Sequence, residues 1–237
     1  ALKTSEKLDT IGVFGKSVEA VALLAKVLIK KDLYDPATIH FAADGILEAS
    51  QKEPHFEPKF IFYKTDKWKN IDKESKNAFE FFIKKFKKNI EVFDVPEYFK
   101  DIPKHHQIIH ETDLANNFQA YYKKDKKKLS KEMRDAIERG LKHPAYEYAN
   151  AIDFMEQSYQ SYKEVFEDYH GVITPSASGV ADKSLKSTGS ADFQKIWTYM
   201  GLPTISLPLL TGESDLPLGV QLIGDKLDDI RFLSTAN

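Results

Sequence analysis

The 237-residue sequence predicts an α/β fold with a mixed sheet covered by helices. Three observations lead to it. A strand–helix–strand pattern fills 59–95, a polar helical stretch fills 101–169, and short strand-like runs return at 171–174, 204–209 and 217–223.

Residues 17–31 read SVEAVALLAKVLIKK. Val18, Val21, Ala22, Leu24, Ala25 and Leu28 recur at helical spacing, Ser17 is a good N-cap, and Lys30 and Lys31 suit the negative end of the helix dipole. Asp35-Pro36 is expected to open a second helix running to about Ser50, with Pro36 at its first position and Gly45 weakening its middle. KFIFY at 59–63 reads as a strand, 72–89 as a lysine-rich amphipathic helix carrying Phe79, Phe82, Ile83 and Phe86, and IEVFDV at 90–95 as a second strand closed by Pro96. That crossover makes the two strands parallel.

Between 101 and 169 the pattern is helical, and this region reads as an insertion between strand-bearing segments. Ser130 opens a helix that Gly140 ends, and a longer helix over 144–169 aligns Tyr148, Ile152, Met155, Tyr159, Tyr162 and Phe166 on one face. GVIT at 171–174 is a buried strand, and the Ser-, Gly- and Ala-rich 176–190 a loop. A helix over Phe193–Met200 stops at Gly201 and Pro203, the runs 204–209 and 217–223 form an antiparallel hairpin around TGESD, and 226–236 forms a last helix.

Composition narrows the function classes. Hydrophobic residues at 42% and charged residues at 30% are ordinary for a soluble globular protein. A net charge of −2 supplies no field to hold a polyanion, so no nucleic-acid partner is expected. The basic run KKDKKK at 123–128 reads as a solvated helical connection without interleaved aromatics. No apolar run approaches the roughly 20 residues that span a bilayer, so no membrane partner is expected. The sequence contains no cysteine, which excludes disulfides, thiolate metal sites and a cysteine nucleophile. A reducing, cytoplasmic location is the corresponding expectation.

Candidate chemistry is sparse. His106 and His110 share a helical face beside His105 and Glu111, but H-x-x-x-H-E lacks the interior glutamate of H-E-x-x-H, and a surface or core-rim cluster is the preferred reading. GVFG at 12–15 is no phosphate loop, and Gly179 and Gly189 lie outside any dinucleotide pattern. No metal and no cofactor is therefore expected. Ser176 follows Thr174-Pro175 at the end of a strand, where α/β proteins build sites. It sits in no G-x-S-x-G elbow and has no assignable His–Asp pair, so it reads as a loop serine beside a cleft.

Three segments resemble the amidase-signature family: LDTIGVFGKSVEAVALL at 8–24, VITPSASGVA at 172–181, and the run from Ser187 to Ala236. The last is the most specific, with Gly201-Leu202-Pro203, Ser206-Leu207-Pro208 and PLGVQLIG at 217–224 in the family's order. The resemblance implies a C-terminal portion of an amidase-type hydrolase acting on carbon–nitrogen (amide) bonds. The family's Ser–cis-Ser–Lys triad belongs to a Gly/Ser-rich stretch that nothing here matches, so no catalytic residue is assigned, and Ser5 and Ser17 receive no such role. Close relatives in that family often read Phe-Asn-Arg where this chain has Phe193-Gln194-Lys195, and arginine at Lys16; lysine keeps the charge but loses the planar fork.

What this portion would supply is core and one wall of a substrate cleft. Thr174, Pro175 and Ser176 from the loop after the strand, with Trp197, Thr198 and Met200 from the helix, are the substrate-binding candidates, although Trp197 reads equally well as plain core. The implied partners are a small-molecule amide substrate and a missing N-terminal half or a homo-oligomer partner. A stand-alone, non-catalytic binding or interaction module is the alternative.

Overall fold

A computed structural model of the chain describes residues 2–35, 37–54, 56–182, 189–212 and 215–237. The chain divides into two compact units, Ala1–Gly12 with Tyr98–Tyr162 and Val13–Glu97 with Lys163–Asn237.

The second unit begins with helix α1 (Val18–Leu28), capped where the Ser17 hydroxyl accepts from the Ala20 N–H at 3.1 Å. Helix α2 covers only Ile46–Ala49, so the helix expected over 35–50 is shortened to one turn. The cause is local. The Asp35 carboxylate accepts from the Ala37 N–H and stabilises a turn, and Gly45 enters α2 with φ of 91°, a left-handed conformation that interrupts any helix arriving from upstream. Pro36 lies outside the described residues.

Strand β1 (Phe60–Lys64), helix α3 (Lys73–Lys85) and strand β2 (Ile90–Asp94) form the expected crossover, with β1 and β2 parallel. Asp72 caps α3 by accepting from the Ser75 N–H at 2.7 Å.

The chain then enters the first unit with α4 (Ile102–Asp125), α5 (Lys131–Gly140) and α6 (Ala145–Gln160). Leu114, Ala115 and Phe118 of α4 pack against Ala136 and Ile137 of α5. The helices cross so closely at Gly140 that a Cβ there would lie 1.9 Å from the Glu111 carbonyl oxygen. Glu111 is buried, and its carboxylate accepts from Arg139 Nε at 2.8 Å, Arg139 Nη2 at 2.7 Å and Gln107 Nε2 at 2.9 Å. Residues 2–12 are fastened to the same helices. Ser5 Oγ donates to Asp113 Oδ2 at 2.5 Å, Asn117 donates to the Thr4 carbonyl at 3.1 Å, and the Tyr148 hydroxyl donates to Asp113 Oδ1 at 2.9 Å.

The helix expected over 144–169 is broken. It ends at Gln160 and resumes as α7 (Val165–Asp168). Its aromatic residues serve different cores: Tyr162 buries in the first unit, 5.3 Å from the Phe99 ring, whereas Phe166 buries in the second.

Strand β3 (Gly171–Pro175), helix α8 (Lys195–Met200), strands β4 (Thr204–Thr211) and β5 (Pro217–Ile223) and helix α9 (Asp229–Ala236) complete the second unit. The sheet order is β2-β1-β3-β5-β4, with β3 parallel to β1, and β5 antiparallel to both β3 and β4. Cross-strand partners share a face. Phe62, Ile173, Leu222 and Ile205 therefore form one apolar row, which packs with Phe79, Ile46, Ala22, Phe232 and Leu233 of the surrounding helices.

Candidate functional site

The opposite face of the sheet carries a polar row. Register places Thr174 of β3, Gln221 of β5 and Ser206 of β4 side by side. One step further, the Ser176 N–H donates to the Gly219 carbonyl at 3.0 Å and extends the β3–β5 pairing past Pro175.

Gln221 and Thr174 are buried, and burying an amide is costly unless its hydrogen bonds are made. Both Gln221 amide protons are used. One goes to Thr174 Oγ1 at 2.9 Å and the other to the Phe193 carbonyl at 3.1 Å. The next residue, Gln194, donates from Nε2 to the Ser176 carbonyl. The two glutamines thus tie the approach to α8 onto the end of β3. Lys195 Nζ pairs with Asp192 at 2.8 Å, and this contact, aided by the Ser190 hydroxyl, holds the Asp192 carboxyl below its ordinary value.

Beyond the buried part of the row, Ser176 Oγ and Ser206 Oγ lie 2.7 Å apart. They meet over Gly219, where a Cβ would stand 2.7 Å from each hydroxyl, so a side chain on β5 would separate them. Among the described residues, the only hydrogen-bonding partner of either hydroxyl is the other one. A serine pair of this kind can donate to and accept from a bound polar group. Among the described residues no base contacts the pair, and a hydroxyl needs one to become an activated nucleophile.

The six cleft candidates fall into two groups. Ser176 and Thr198 are half-buried and can meet a ligand. Thr174, Pro175, Trp197 and Met200 are buried. Trp197 stacks on Tyr63 with ring centroids 6.5 Å apart and an interplanar angle of 21°, so it packs α8 against the sheet behind the exposed pair. Ser206, Gln221 and Gln194 are not among the sequence candidates, although all three lie in the segment that carries the strongest family resemblance. For Gln221 the signal is a glutamine inside the apolar strand PLGVQLI.

The histidine cluster lies on α4 in the first unit, with the His106 and His110 rings 6.2 Å apart. Glu111 is taken up by Arg139, Gln107 and His143. Among the described residues, no three His, Cys, Asp or Glu side chains are grouped to hold a metal, and no helix is long and apolar enough to cross a membrane.

Comparison with known proteins adds a family. The sequence profile described as Amidase matches residues 2–233. A glutamyl-tRNA(Gln) amidotransferase subunit of Alkaliphilus metalliredigens is 30% identical over 96 residues, which are 38% of this chain and 20% of that protein. Among solved structures, one from a vestigial protein complex bearing on the origins of an s-triazine catabolic enzyme superposes with a TM-score of 0.83 at 17% identity, covering 99% of this chain and 53% of its own. The glutamyl-tRNA(Gln) amidotransferase subunit of Thermotoga maritima superposes with a TM-score of 0.72 at 22% identity, covering 98% of this chain and 52% of that one. This chain therefore spans about half the length of these solved structures.

Proposed function

The chain belongs to the amidase-signature family, and from that premise we propose that it is a C-terminal portion of an amidase-type hydrolase that contributes core and one wall of the amide-binding cleft, but not the catalytic triad. The observation that carries this reading is the coverage: nearly all of this chain aligns with only about half of a solved relative. The geometry of the polar row supports the assignment of a wall. Ser176 at the end of the row and Thr198 of α8 are half-buried and would offer hydroxyls to a small amide substrate, Thr174, Pro175, Trp197 and Met200 are buried, and Trp197 packs α8 against Tyr63 of the sheet. Acyl transfer requires an activated nucleophile, a base and oxyanion donors around one carbonyl, and the serine pair supplies only hydroxyls. The rest of the fold would come from an N-terminal half or a partner chain. The reading requires no cofactor and places the protein in the cytoplasm, which fits a sequence without cysteine.

The test is turnover of simple amides by the purified 237-residue chain. The expected result is a rate indistinguishable from buffer. Rapid hydrolysis that survives further purification and disappears in Ser176→Ala would refute the non-catalytic assignment.

A further inference from the structure

Helix α1 has two apolar faces, and only one of them is used. Its sequence VEAVALLAKVL contains only two polar residues, Glu19 and Lys26, and both are directed along one flank toward the α2 region. Glu19 accepts from Gln51 at 2.6 Å, and Lys26 pairs with Glu48 at 3.6 Å. At about 100° per residue, Val18 and Ala22 fall on one side of the helix and Leu23, Leu24, Val27 and Leu28 on the other. The first pair packs into the core of the second unit. The four on the far side remain 50%, 43%, 72% and 56% exposed. Phe14, Leu33 and Tyr34, in the segments entering and leaving α1, are almost fully exposed. A helix that is apolar all round belongs in an interior, and contiguous apolar patches rarely stay bare on a soluble protein.

We infer that the Leu23–Leu28 face of α1 is the docking surface for the part of the amidase fold that this sequence does not contain, whether that part lies on a longer chain or on a separate one. The inference rests on the half-fold reading above. One observation selects this occupant over a second copy of the chain, and another excludes a charged partner. Solved relatives carry nearly half their length beyond the region matched here, so a polypeptide long enough to cover this face accompanies the matched region in those proteins. The exposed stripe itself carries no charge, so it fits the apolar interior surface of a protein half and offers nothing to a polyanion.

The test fuses this chain, on one polypeptide, to the portion of the Thermotoga maritima protein that has no counterpart in it. Docking then becomes intramolecular, and an imperfectly matched surface still engages at millimolar effective concentration. Hydrogen–deuterium exchange is read across the whole chain, with apolar-dye binding in parallel, for fused and unfused chains and for the double variant Leu24→Glu/Val27→Glu. Both positions are already exposed, and circular dichroism of the unfused variant checks that its fold is retained. Fusion is expected to slow exchange in α1 by about tenfold or more and to suppress dye binding, and the fused variant is expected to lose both effects. Protection that appears only in other segments means the missing half docks elsewhere, which overturns this inference and leaves the half-fold reading standing. Protection nowhere overturns both. Concentration-dependent protection of α1 in the unfused chain, abolished in the variant, assigns the face to a second copy and overturns the inference.

Discussion

Gln221 and Thr174 sit side by side on β5 and β3, and the buried glutamine amide donates to the threonine hydroxyl at 2.9 Å. The remaining amide proton holds the Phe193 carbonyl, so one side chain connects two strands to the lead-in of α8. The exposed Ser176–Ser206 pair is positioned by these buried contacts.

Gln221→Leu should therefore cost more than its size suggests. It keeps the volume but leaves a buried hydroxyl and a buried carbonyl without their donor, a loss of about 1–3 kcal/mol. Both tryptophans, Trp68 and Trp197, lie in the second unit, so urea unfolding followed by tryptophan fluorescence reports this loss directly.

Glu111 should make the first unit acid-sensitive. Burial pushes its carboxyl up, but the Arg139, Gln107 and His143 contacts outweigh burial and hold it below its ordinary value of 4.5. A carboxyl lowered in the folded state adds stability above about pH 4.5, and that stability is lost as pH falls through the lowered folded value. Urea midpoints followed by circular dichroism at 222 nm should fall over this acid window. Glu111→Gln should be less stable at pH 7, and its midpoints should fall less steeply below pH 4.5.

Tyr148 makes the opposite case at high pH. Burial, and then its hydrogen bond to Asp113, push its hydroxyl up to about 12 from an ordinary 10. The resulting stability is complete below pH 10 and is lost as pH rises through about 12. Tyr148→Phe should remove this part of the alkaline destabilisation, as read from urea midpoints between pH 9 and pH 12.

Two glycine substitutions should differ in severity. In Gly140→Ala the new methyl meets the Glu111 backbone, which cannot yield without separating α4 from α5, and a loss of about 1–3 kcal/mol or more is expected. In Gly219→Ala the methyl meets two serine hydroxyls that can rotate away and the Ser176 Cβ at 2.9 Å, which needs only a small shift, so the loss should be smaller. It should be smaller still in a Ser176→Ala/Ser206→Ala background. Equal losses for the Gly219 substitution in both backgrounds would show that the serines are not what crowds it.

Much of the fold was legible because local pattern and tertiary packing agree. Short apolar runs bounded by proline and turn residues gave β1, β3 and the β4–β5 hairpin, and the apolar periodicity of α1 and α3 gave those helices. The pattern failed where a single side chain or a long-range contact decides. The Asp35 turn and the left-handed Gly45 override helical spacing before α2, and the break after Gln160 depends on Tyr162 and Phe166 entering different cores. The site was half legible. A serine just past a strand end points to a cleft, but its pairing with Ser206 and its support by Gln221 depend on strand register across residues 174–221.

The central claim is that this chain contributes half of an amidase fold without its nucleophile. It is tested most directly by treating the purified protein with a fluorophosphonate probe and mapping labelled peptides by mass spectrometry. No serine is expected to be labelled, because Ser176 and Ser206 are held in a mutual hydrogen bond and, among the described residues, no base contacts either. Stoichiometric labelling of Ser176, or of any other serine in the chain, would contradict it.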